Sequence, residues 1–107
     1  MVLLHTVGAR SGEPRVNPLA TFPEDGSWLV VASAGGRPTN PAWYHNLLAN
    51  PDTTIEFGAE TIPVHAHVLE GTDRAAAWSR ITGEMPGFLS YEQRTTRTIP
   101  VLRLTRR

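Results

Sequence analysis

FPEDGSWLVVAS, running from Phe22 to Ser33, decides how the chain folds. Pro23-Glu24-Asp25-Gly26 reads as a hairpin turn, because Asp-Gly supplies the positive φ angles that tight turns between strands require. Trp28 to Ser33 is the returning strand, and its apolar run predicts burial on both faces. Ala34-Gly35-Gly36-Arg37-Pro38 then breaks it. Before the hairpin, Val2 to Val7 (VLLHTV) reads as a strand, Gly8 to Pro14 as a turn-rich loop, and Arg15 to Phe22 as extended chain. After it, Asn40 can cap a helix, Pro41 suits the first turn, and AWYHNLLA continues until Asn50-Pro51 stops it. Trp43 and Leu47, with Tyr44 and Leu48, form the expected inner stripe.

Thr53 to Phe57 and Glu60 to Leu69 read as two more strands around a Gly-Ala turn. Thr72-Asp73 open a second helix to about Thr82, Gly83 to Thr98 reads as irregular or weakly helical, and Ile99 to Thr105 as a closing strand. About six strands with two to three helices predict a mainly β fold, an antiparallel split β-barrel formed by residues 1–107 as one domain. An αβ plait is the competitor; barrel closure protects edge strands and favours the first.

Composition narrows the function. Apolar residues make up 40% and charged residues 19%, as in an ordinary globular domain. Formal net charge is zero, so the broad positive field that nucleic-acid binding needs is missing, and no nucleic-acid partner is expected. The absence of cysteine excludes disulfides, thiolate metal sites and cysteine nucleophiles. With no apolar run long enough to span a bilayer and no basic leader before the first strand, a cytoplasmic location is expected. All ten basic residues are arginine, so a bound phosphate or carboxylate would meet planar, permanently charged forks.

Two loops carry the chemistry. In Gly8-Ala9-Arg10-Ser11-Gly12-Glu13-Pro14-Arg15 the glycines permit a tight turn, Arg10 and Arg15 bracket it, and Ser11 offers a hydroxyl. The segment suits an anion; a hairpin loop with solvated arginines is the alternative. Ala32-Ser33-Ala34-Gly35-Gly36 leaves a buried strand with small residues only, so a flat ring could lie on its backbone with Ser33 bonded to it. Met85 to Glu92 is apolar enough to wall a pocket, where Tyr91 could donate a proton. His65 and His67 share a strand face, but no third ligand is marked, so no metal site is expected.

Three ordered stretches together carry a resemblance: TVGARSGEPRVNPL (Thr6 to Leu19), VASAGGRPTNPAWYHNLLANP (Val31 to Pro51) and RTIPV (Arg97 to Val101). They resemble the deazaflavin-dependent nitroreductase family, actinobacterial reductases of the FMN-binding-like split-barrel superfamily. The resemblance implies coenzyme F420, an 8-hydroxy-5-deazaflavin, as cofactor in preference to FMN. It implies that Arg10, Ser11, Gly12, Arg15 and Pro18 meet the coenzyme's anionic tail. Ala32, Ser33, Ala34, Gly35, Gly36 and Trp43 would then surround the ring, and Ala20, Met85, Phe88 and Tyr91 the acceptor. Ser33 and Tyr91 are the residues implied to act in hydride transfer to a quinone-like, nitroaromatic or other planar electron-poor molecule. A non-catalytic carrier of this coenzyme, a flavin or haem is the alternative.

Departures from the family pattern bear on the acceptor. Ala20 stands where tyrosine is frequent, Met85 and Phe88 replace other tyrosines, and Ala9 and Ala34 replace basic residues. The chain also starts almost at its first strand, where relatives carry a helix through which the membrane surface is reached. Pairing into a homodimer is a further expectation from the resemblance.

Overall fold

A computed structural model describes residues 1–107. Alternation in β1 (Val2–Val7) turns Val2, Leu4 and Thr6 inward and leaves Leu3 and Val7 exposed. The extended chain beyond the first loop divides into β2 (Pro14–Leu19) and β3 (Phe22–Glu24), raising the strand number from about six to seven. The division falls at Ala20-Thr21, where the chain leaves β1 and begins to pair with β4 (Ser27–Val31). In the hairpin between β3 and β4 only Gly26 takes a positive φ, +74°, so the Asp-Gly turn needs one left-handed residue and not two.

β5 (Asp52–Phe57), β6 (Glu60–Val68) and β7 (Val101–Arg106) complete a single antiparallel sheet in the order β2-β1-β5-β6-β7-β4-β3. The sheet curls into a split barrel whose two edges are β2 and β3. Prolines protect both edges: Pro14 and Pro18 on β2, and Pro23 on β3, offer no N–H to an incoming strand. One face packs Val2, Leu4, Trp28, Val30, Ile55, Ile62, Val64, Leu102 and Leu104 against Trp43 and Leu47 of α1 (Ala42–Ala49). On the other face Leu29 and Val101 meet Ala77 and Ile81 of α2 (Gly71–Glu84) and Phe88 of α3 (Gly87–Gln93). β4 feeds both cores, which is why its run is apolar at successive positions. Each large apolar side chain so buried stabilises the fold by about 1.5–3 kcal/mol.

Three local expectations change. Asn40 does not cap α1; its side-chain oxygen accepts a hydrogen bond from Arg97 at 2.6 Å, and Pro41 occupies the cap position. Leu48 is exposed and Asn46 takes the inward position, because Asn46 bonds Thr6 and the first loop. The weakly helical stretch after Gly83 resolves into α3, organised by Phe88, whose ring lies 6.2 Å from Phe22, 6.5 Å from Trp78 and 5.6 Å from Tyr91. No helix is long and apolar enough to cross a membrane.

Candidate functional site

The chain leaving β4 passes through the left-handed region three times, at Ala34 (φ 51°), Gly35 (φ 67°) and Gly36 (φ 82°). A side chain costs energy in that region, of order 1 kcal/mol, and Ala34 bears it. Gly36 is required twice over: a Cβ there would stand 3.0 Å from both the Tyr91 carbonyl oxygen and the Arg94 Cβ. This close approach seats α3 on the loop. Gly35, by contrast, faces open space.

Between that loop, β2 and α3 lies a cavity of about 400 Å³, with eight hydrophobic residues among its thirteen lining residues. It brings together nine residues named from sequence: Pro18, Ala20, Ser33, Ala34, Gly35, Trp43, Met85, Phe88 and Tyr91. Volume and lining suit a flat, mostly apolar ligand with a few polar contacts. The N–H groups of Ser33, Ala34 and Gly35 have no hydrogen-bond partner within the protein, although all three residues line the cavity. The hydroxyls of Ser33 and Tyr91 are likewise unpaired, and Tyr91 is the only titratable side chain in the lining. Three backbone donors and two hydroxyls around an apolar slot suit a heterocycle with carbonyl groups.

A second cavity, of about 570 Å³, opens at the first loop and is lined by Arg10, Ser11 and Arg15 together with His45 and Asn46 of α1. Here the loop's shape comes from its own bonds. Gly8 and Glu13 close it at 2.8 Å, the Glu13 N–H donates to Ser11 Oγ at 3.2 Å, and the Asn46 side chain accepts from the Ala9 N–H at 2.9 Å. A Cβ on Gly8 would stand 2.4 Å from Ser11 Oγ, so a side chain there would turn that hydroxyl away from the Glu13 N–H it now accepts from. Arg15 lies 3.2 Å from Glu13 in an exposed ion pair of little strength, whereas Arg10 has no acidic partner.

A third cavity joins the two. It shares Ala34, Gly35 and Pro41 with the apolar slot and Ala42 with the arginine loop. The three form one track across the start of α1, whose unbonded N–H groups favour negative charge.

Some sequence-named residues lie off this track. Ala32 and Gly36 are buried behind the slot's wall, and Gly12 sits at the outer turn with φ +71° and nothing within 4 Å of a Cβ. His65 pairs with Asp52 at 2.5 Å and meets His67 edge to face, with ring centroids 4.6 Å apart, on a different part of the sheet.

Leu19, Val31, Pro41 and Gly87 line the slot without a sequence signal for that role, and two polar residues that shape the site carry none either. Asn46 was hidden in an apolar helix, though a polar side chain three residues after Trp43 marks the same face. Arg97 belongs to the quoted RTIPV stretch, yet its partners lie 57 to 65 residues away, and no local spacing predicts them.

Compared with known proteins, the chain as a whole is similar to reductases. The F420H(2)-dependent quinone reductase family model matches residues 1–106. An F420H(2)-dependent quinone reductase of Mycobacterium tuberculosis (strain ATCC 25618 / H37Rv) is 43% identical over 113 residues, covering 99% of this chain and 73% of that protein. Among solved structures, an F420-H2 dependent reductase superposes with a TM-score of 0.87 at 38% identity, covering 96% of this chain and 91% of that one. A structure described as a domain-swapped dimer gives the same TM-score and identity, covering 96% and 78%.

Proposed function

The chain belongs to the F420H(2)-dependent quinone reductase family, and on that premise we propose that its apolar slot takes the ring of the coenzyme and its arginine loop the tail. The protein is a deazaflavin-dependent oxidoreductase with coenzyme F420 as its cofactor. The observation that carries the placement is the continuity of the track. An apolar slot with unpaired donors runs through the start of α1 into a loop with two arginines. A planar heterocycle with an anionic chain has this order of parts.

In this reading Ser33 and the N–H groups of Ser33, Ala34 and Gly35 hold the ring's polar edge. Trp43 backs it, and Pro18 and Pro41 narrow the slot. Ala20, Met85 and Phe88 leave the space above the ring apolar, which orients a planar electron-poor acceptor and keeps water out. Bound here in reduced form, the coenzyme would supply hydride-transfer chemistry toward the acceptor. The Tyr91 hydroxyl holds a proton for the oxygen or nitrogen of the acceptor that gains charge. Arg10 and Arg15 grip the tail through charge-assisted hydrogen bonds, with Ser11 beside them. A second copy of the chain is the partner proposed for the outer face of β1 and β2, where Leu3, Val7 and Val16 stand exposed.

The test follows oxidation of the reduced coenzyme against a panel of quinones, nitroaromatics and enones. Turnover with at least one class is expected, and Tyr91→Phe should lower kcat by roughly tenfold or more with little change in coenzyme affinity. Tight coenzyme binding with no turnover across the panel would overturn the catalytic reading and favour a carrier.

A further inference from the structure

We propose that Arg97 is the positioning residue of the ring site, setting both the shape of the 32–40 loop and the donor strength of the Ser33 and Ala34 N–H groups. The inference rests on the placement of the ring proposed above. Every part of the Arg97 guanidinium is engaged. Nε donates to the Arg37 carbonyl at 3.0 Å, Nη1 to the Ala32 carbonyl at 3.3 Å and to Asn40 Oδ1 at 2.6 Å, and Nη2 to the Ser33 carbonyl at 2.8 Å. None of these acceptors is a carboxylate, and Arg97 is in none of the seven ion pairs. It is a half-buried cation whose charge is spent on neutral oxygens.

Which oxygens matters. The Ala32 carbonyl belongs to the same peptide group as the Ser33 N–H, and the Ser33 carbonyl to the same group as the Ala34 N–H. These are two of the three unpaired N–H groups of the slot. A cation bonded to a peptide oxygen withdraws electron density and makes the N–H on its other side a stronger donor, as in any hydrogen-bonded chain. Arg97 therefore acts on an electron-rich ring edge through two peptide bonds, without touching it. The same four bonds bridge the start and end of the loop that includes the left-handed run Ala34 to Gly36, so removing the fork frees that run to relax. Lysine keeps the charge but cannot present this planar fork.

The experiment compares wild type, Arg97→Lys and Arg97→Gln, each checked for folding by thermal melting. Coenzyme F420 is titrated by fluorescence, and the acidity of its ring hydroxyl is followed by absorbance in the complex. Wild type should bind the ring anion preferentially, giving a lower ring pKa bound than free. In Arg97→Gln that pKa should move back up, with affinity falling by about tenfold or more, and Arg97→Lys should lie between. Added guanidinium should restore part of the affinity to an Arg97→Ala protein. If Arg97→Gln is folded and binds the coenzyme with unchanged affinity and ring pKa, the inference is wrong. If no variant at this position folds, the amide protons of Ser33 and Ala34 in wild type decide: a downfield shift of both on coenzyme binding supports the inference, and no shift contradicts it. Failure of wild type to bind the coenzyme at all would instead refute the proposed ring site.

Discussion

The two ends of the track are built differently. The apolar slot is cut into the cores: Trp43 and Phe88 are buried in them, Gly36 is pressed against α3, and Arg97 ties the wall from behind. The arginine loop lies on the surface, stitched by its own backbone and held to the body by Asn46. The contrast teaches that the two ends recognise different things. A packed, tied wall discriminates shape, whereas exposed arginines on a turn read charge and tolerate variation in what carries it. Substitutions at the slot should thus cost stability and affinity together, and those at the loop affinity alone.

The largest effect should come from Trp43→Ala, which empties a site shared by the core and the slot. We expect a loss of about 3–5 kcal/mol in stability, measured by denaturant unfolding, together with loss of ring binding. Stability unchanged within error would break the claim that the slot's wall is core. Next, Gly36→Ala introduces a Cβ at a left-handed position 3.0 Å from the Tyr91 carbonyl oxygen and the Arg94 Cβ. It should cost about 1–3 kcal/mol and shift acceptor preference, because α3 must move. An unchanged melting temperature would show that α3 is not seated on the loop.

A smaller stability effect belongs to a group away from both ends. Burial works to raise the Glu24 carboxyl, but hydrogen bonds from Arg103 and Ser27, with the charges of Arg103 and Arg80, hold it below its ordinary value of 4.5. A depressed carboxyl stabilises the fold above its unfolded pKa, and that contribution disappears as pH falls through the lower, folded value. Glu24→Gln should remove about 1 kcal/mol or less at neutral pH and flatten the fall in stability below about pH 4.5, with no effect on coenzyme affinity. A melt series across that range is the check. A change in affinity would mean the slot and the α2 face are coupled.

The sequence makes much of this legible, unevenly. β1 shows a two-residue alternation, and the Asp25-Gly26 hairpin and the Pro41 helix start are local signals that mark their elements to within a residue or two. The residues of the slot came from the small-residue run after β4 and from the family resemblance. What stayed hidden is non-local. α3 has no strong periodic pattern, since it is fixed by Phe88 meeting Phe22 and Trp78 across the chain. Asn40 has a cap's identity but another partner, and Arg97 shows its role only when the chain returns to the loop. Ala32 shares the small-residue run that suits a ring, yet its side chain packs in the core.

Whether the track holds one ligand in the proposed order can be tested by dividing that ligand. Coenzyme F420 and its tail-less deazaflavin fragment are titrated into wild type and into the doubly reversed Arg10→Glu, Arg15→Glu protein. Melting should differ by no more than about 0.5 kcal/mol between the two proteins, since both arginines are exposed. Affinity for the whole coenzyme should drop by about 1.5–3 kcal/mol for each charged hydrogen bond lost, while affinity for the fragment stays the same. Equal affinity of both proteins for the whole coenzyme, or an equal loss for the fragment, would contradict the placement of ring and tail.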